Sequence, residues 1–168
     1  MVQPLLSVAS LRCARDGRLL FAGLDLEIGS GEVVALVGPN GSGKSTLLRC
    51  IAGLYPDYEG TIEVESVAYL GHRPAISARL TPLENLRWYA GITAAQGEDI
   101  DQLLERVGLA GYEHHLCARL SAGQQRRVAL ARLMLDRQPL WLLDEPLTAL
   151  DADGQALVRI LIESHLDR

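Results

Sequence analysis

Residues 33–46 read VVALVGPNGSGKST, and the reading of the fold starts from this stretch. Its first five residues are an unbroken apolar run, the pattern of a strand buried on both faces of a parallel sheet. GPNGSGKS then fits G-x-x-x-x-G-K-[ST], and STLLRCIAGL continues as a helix ending near Gly53. Strand, glycine loop and helix in that order make a cradle where backbone N–H groups and a helix dipole meet phosphate. Lys44 is the only lysine in the chain; every other basic residue is arginine. A compact ammonium suits a point contact with the β- and γ-phosphates better than a planar guanidinium fork. The expected phosphate-binding set is Gly38, Asn40, Gly41, Ser42, Gly43, Lys44, Ser45 and Thr46, with the Ser45 hydroxyl also a ligand for Mg²⁺.

Working outward, short apolar stretches at 5–9 and 19–28 read as strands, and GSGE at 29–32 as a turn. Residues 54–66 hold a short strand or hairpin, and 82–118 carry helical patterns, the second of them beginning at Glu98. SAGQQRRVALARLMLDR, 121–137, reads as a helix, PLWLL, 139–143, as a second buried strand, and 151–166 as a final helix. Strands and helices interleave, so the expected fold is α/β, with a largely parallel sheet and a helical insertion in the middle.

LWLLDEP, 140–146, ends an apolar strand in two carboxylates. Ligands of parallel α/β sheets bind at the carboxyl ends of strands, which would set Asp144 to hold Mg²⁺ opposite Ser45. Glu145 would orient and polarise an attacking water. A capped strand end with solvated acids is the plainer reading, and the phosphate loop weighs against it. LSAGQQRR, 120–127, is a second glycine turn opening a helix, with Ser121 as N-cap. One nucleotide does not need two such turns. Either the insertion folds over the chain's own nucleotide, or this turn serves the nucleotide of a second copy.

Together, GPNGSGKST, LSAGQQ and LWLLDEP closely resemble the nucleotide-binding domain of ABC ATPases, over nearly the whole chain. The resemblance implies a P-loop fold of ABC type, in one domain over 1–168. It implies an antiparallel N-terminal β part, a mostly parallel core and a helical subdomain at about 73–137. It also implies ATP hydrolysis with Mg²⁺ and a head-to-tail homodimer in which Ser121, Ala122, Gly123 and Gln124 act in trans. Alanine stands at 122, where the family usually has glycine. Asp151 falls in the loop that communicates between the two sites, and equally fits a simple helix cap. His72 stands where most members have a glutamine that senses Mg²⁺ and the membrane partner; a solvated loop histidine is the alternative. The chain departs from the pattern in having no aromatic before Phe21 to stack on adenine. It also ends before the family's next strand and the histidine that strand carries.

Within that family, LGHRPAISARLTPLENLRWY (70–89) and LSAGQQRRVALARL (120–133) resemble the ATP-binding subunits of cytochrome c maturation systems, the haem exporters. This implies a peripheral subunit on the cytoplasmic side of the inner membrane, docked on integral membrane partners. The docking region would be residues 72–89. No direct haem contact is expected, since His114 and His115 lie in a polar loop. Another ABC exporter, or an ATP-binding module with little turnover, are the alternative readings.

Composition agrees with a cytosolic chain. A net charge of −5 gives no case for nucleic-acid binding, and Arg126, Arg127, Arg132 and Arg137 read as a solvated helix face. Cys13, Cys50 and Cys117 are isolated, without a disulfide framework. The start lacks a signal-peptide pattern, and no window reaches the roughly 18–20 apolar residues of a membrane span.

Overall fold

A computed structural model describes residues 3–93, 95 and 99–167, in two compact units. Glu98, where the second helical pattern begins, lies outside the described residues. The first unit is built from residues up to Tyr69, Gln138–Asp144 and His165 onward. Strands β1 (Leu6–Arg15) and β2 (Arg18–Ile28) form an antiparallel hairpin. Asp16 and Gly17 turn it with φ of 52° and 74°, the positive pair that a tight two-residue hairpin turn requires. β3 (Glu59–Val64) pairs antiparallel with the other side of β1, giving the order β2-β1-β3.

Helix α1 (Lys44–Ile51) follows the glycine loop. It stops where Gly53, at φ 69°, lets Gly53 and Leu54 return their N–H groups to the Cys50 and Arg49 carbonyls. Its buried Leu47, Leu48 and Ile51 pack with Leu6, Val8, Leu11 and Ile28 of the hairpin and with Leu140 and Leu142. Those last two belong to β5 (Leu140–Leu143), which pairs with β4 (Val67–Leu70) in a separate two-stranded sheet.

One expectation fails in this unit. VVALV, 33–37, is not a buried strand: no strand is formed there, and Val33, Val34 and Val37 are 64%, 44% and 92% exposed. Among the described residues no strand pairs along it, and of its side chains only Leu36 packs against the core. The paired sheet beyond the N-terminal hairpin is accordingly smaller than the sequence pattern implies.

The second unit comprises Leu70–Arg137 and Glu145–Ser164. Helix α2 (Pro82–Ile92) starts at a full capping box: the Thr81 hydroxyl accepts from the Glu84 amide, and the Glu84 carboxylate accepts from the Thr81 amide. Asp99 caps α3 (Ile100–Arg106), and Ser121 caps α4 (Ala122–Leu135). The three helices bury Leu86, Leu104, Val107, Leu109, Val128 and Ala131 between them. Helix α5 (Ala152–Leu166) closes the described chain. No described helix is long and apolar enough to cross a membrane.

Candidate functional site

In the first unit, the loop before α1 is folded around its own lysine. Lys44 Nζ donates to the carbonyls of Gly38 (2.7 Å) and Pro39 (2.9 Å). Asn40 and Gly41 form the exposed tip, and the Ser42 amide closes the turn on the Pro39 carbonyl at 3.2 Å. Gly43 has to be glycine: its φ is 98°, and an added Cβ would sit 3.1 Å from Leu20 and 3.3 Å from Phe21. As N-cap of α1 it supplies no side chain, and the first turn holds no acid, so nothing on the helix itself satisfies its leading N–H groups. That is the chemistry of an anion site.

Ser45 and Asp144, 99 residues apart in sequence, meet here. Ser45 Oγ donates to Asp144 Oδ1 at 2.8 Å, and the Tyr69 hydroxyl reaches Oδ2 at 3.4 Å. Asp144 is 4% exposed at the end of β5. A hydroxyl beside a buried carboxylate is a hard oxygen pair of the kind Mg²⁺ takes together with phosphate oxygens, so these residues fit that ion. Thr46, next in the helix after Ser45, is buried. Tyr69 was not singled out from the sequence; its signal was its place at the end of a strand, in AYLGH (68–72). Phe21 packs against the core, and Arg15 is exposed beside Asp16.

The second unit gathers the remaining residues. His72 Nδ1 lies 3.3 Å from Glu145 Oε2, both side chains being more than half exposed. The Thr148 hydroxyl donates to the same oxygen at 3.3 Å. Glu145 has φ 50°, in the left-handed region that a non-glycine residue enters only when its neighbours hold it there.

The second glycine turn is a closed capping box. The Gln124 amide donates to Ser121 Oγ at 3.2 Å, and the Ser121 amide to Gln124 Oε1 at 2.9 Å. Ala122 begins the helix. Gly123 abuts the loop after Glu145: a Cβ there would come within 2.9 Å of the Ala149 carbonyl. Asp151 is a helix cap that also meets an arginine. Oδ1 accepts from the Gly154 amide at 2.9 Å, capping α5, and from Arg127 Nη2 at 2.7 Å. These two donors, the amide first, hold its carboxyl below the usual carboxylate range.

Arg137 is exposed as read, and the other arginines after the turn correct the sequence reading. Arg126 is 3% exposed rather than solvated, and donates to the Gly71 carbonyl at 2.6 Å and the Glu145 carbonyl at 2.9 Å. Arg127 reaches the Val107 carbonyl as well as Asp151. Arg132 donates to the Ala75 carbonyl and lies over the Tyr89 ring. Nearby a surface cleft of about 320 Å³ is lined by Ile76, Leu80, Leu86, Trp88, Tyr89 and Arg132 among others.

A phosphate cradle, a hydroxyl–carboxylate pair at a strand end and a glycine turn opening a helix define a P-loop ATP-binding protein. The model of the ABC transporter family matches residues 21–148, and the chain belongs to that family. Among curated proteins it is 44% identical over 179 residues to the cytochrome c biogenesis ATP-binding export protein CcmA of Saccharophagus degradans, covering 94% of this chain and 80% of that one. It is 47% identical over 167 residues to the CcmA of Pseudomonas syringae (90% and 78% covered), and 49% over 157 residues to that of Alcanivorax borkumensis (90% and 72%). Among solved structures, an ATP binding subunit of an ABC transporter superposes with a TM-score of 0.85 at 25% identity, over 97% of this chain and 75% of that one.

Proposed function

We propose that the chain is the ATP-hydrolysing subunit of an ABC exporter serving c-type cytochrome biogenesis, the haem exporter. The observation that carries the ATPase reading is the Ser45–Asp144 hydrogen bond, which unites the end of the phosphate loop with the end of β5. The CcmA relatives support the choice of exporter.

Gly38, Asn40, Gly41, Ser42, Gly43 and Thr46 offer backbone N–H groups to the phosphates, and Lys44 adds a point charge. Ser45 and Asp144 hold Mg²⁺, which supplies neutralisation of charge on the phosphate oxygens when bound. Glu145, next in the chain after Asp144, takes up a proton of the attacking water and orients its lone pair. His72 and Thr148 fix the carboxylate oxygen that faces them. In a head-to-tail homodimer, Ser121, Ala122, Gly123 and Gln124 meet the nucleotide of the second copy, and Asp151 communicates between the sites. The cleft around Ile76, Leu80 and Trp88 receives a short helix of an integral membrane subunit on the cytoplasmic side of the inner membrane. Residues 1–168 act as one ATPase domain, with 73–137 as its helical subdomain.

The test is phosphate release by the purified chain with Mg²⁺ and ATP. Turnover is expected to stop when Mg²⁺ is chelated. Glu145→Gln should lower it at least about 100-fold while ATP binding stays within about threefold, as expected for loss of a catalytic base. Normal turnover by Glu145→Gln would refute the role of that carboxylate.

A further inference from the structure

Arg126 is the most deeply buried basic side chain described, at 3% exposure, one turn into α4 from the Ser121 cap. Desolvating a guanidinium is costly, so its donors must be well used for the fold to tolerate it. Two of them are aimed at main-chain carbonyls distant in sequence: Nη1 at Gly71, 55 residues away, and Nη2 at Glu145, 19 residues away. Gly71 is the residue before His72. Both ends of the fork therefore grip the backbone beside a site side chain.

The backbone at Glu145 needs such a grip. At φ 50° it is strained for a residue with a Cβ, and its carbonyl is held by Arg126 Nη2 and by the Thr148 amide at 3.1 Å. The nitrogens of a guanidinium are at fixed separation, so two carbonyls bound to one fork are fixed relative to each other. The side chains that meet across this arrangement are His72 Nδ1 and Glu145 Oε2, at 3.3 Å.

We infer that Arg126 is a positioning residue for hydrolysis: its fork locks the Gly71 and Glu145 carbonyls and so sets the direction of the Glu145 carboxylate. The inference rests on the reading of Glu145 as the group that orients water. The fork also ties that carboxylate to the helix that opens with the Ser121–Gln124 turn.

Arg126→Gln, Arg126→Lys and Glu145→Gln would be compared with the parent chain for nucleotide-binding stoichiometry, KM, kcat and the nitrogen resonances of the His72 imidazole. Arg126→Gln should keep KM and stoichiometry within about twofold and lose about tenfold or more in kcat, the split expected when only a transition-state arrangement is disturbed. Its His72 signals should move to where Glu145→Gln puts them. A merely structural residue would lower the stoichiometry and leave kcat per bound nucleotide unchanged, and that result would overturn the proposal. If Arg126→Gln does not fold, Arg126→Lys decides. It keeps the buried charge but replaces the fork's two nitrogens at fixed separation with a single nitrogen, so parental kcat with an unmoved His72 signal also overturns it. Undiminished turnover by Glu145→Gln sinks the water-orienting reading instead, and the His72 signals still decide whether Arg126 sets that pair.

Discussion

Lys44 shows what a single side chain contributes here. Its ammonium holds the Gly38 and Pro39 carbonyls at 2.7 and 2.9 Å, so the loop's curvature depends on a point donor with freely rotating protons. A guanidinium at the same Cα is longer and planar, and cannot converge on two carbonyls of one tight turn from this stem. Lys44→Arg keeps the charge and is still expected to weaken ATP binding at least about tenfold, or about 1.4 kcal/mol. Equilibrium binding of a fluorescent ATP analogue checks this, and parental affinity would reduce the lone lysine to an accident of composition. The loop residues and the Asp144–Glu145 pair were legible because each lies in a contiguous motif with its strand or helix attached. Tyr69 was not, because a hydroxyl reaching a carboxylate 75 residues away leaves no local trace.

At the scale of elements, legibility followed whether a segment carries its own determinants. Helices α2 and α4 announce themselves through Thr81-Pro82 with Glu84 and Ser121 with Gln124, boxes that the structure closes. Arg126 was readable too, in retrospect: 126, 130 and 133 share one face of α4, and Leu130 and Leu133 are buried. Net charge pointed the other way, and helical periodicity was the better guide. VVALV was misread since a strand depends on a neighbour, and its own hydrophobicity says nothing of whether one pairs with it. The packing of α2 on the end of α4 makes a pH prediction. The Tyr89 hydroxyl donates to Asp136 Oδ2 at 2.5 Å, and burial, reinforced by that carboxylate, pushes the phenol up to about 12. The unfolded phenol ionises near 10, so the folded state holds this proton more tightly. Its contribution is fully present below pH 10 and is lost as pH rises from 10 to about 12. Urea unfolding across that interval should show stability falling more steeply for the parent than for Tyr89→Phe. Parallel slopes would mean the Tyr89–Asp136 bond does not govern alkaline stability.

For the whole molecule, the proposed head-to-tail pairing makes the sharpest demand. Folded by itself, the chain occupies the Ser121 and Gln124 side chains with the amides of their own turn, and Gly123 lies against the Ala149 carbonyl. The turn is thus preformed as a rigid helix start, whose free amides and dipole can serve an anion brought by another copy. If each complete site takes its phosphate loop from one copy and its glycine turn from the other, two different defects can complement. Lys44→Ala removes the loop's cation; Gly123→Ala forces a methyl to within 2.9 Å of the Ala149 carbonyl. Each variant alone should retain under about a tenth of parental turnover. Mixed in equal amounts, random pairing makes about half the dimers heterodimers, each with one of its two sites intact, for about a quarter of parental activity. A mixture that does no better than the average of the two variants would place the glycine turn and the phosphate loop of a working site on the same copy, and head-to-tail sharing would have to be given up.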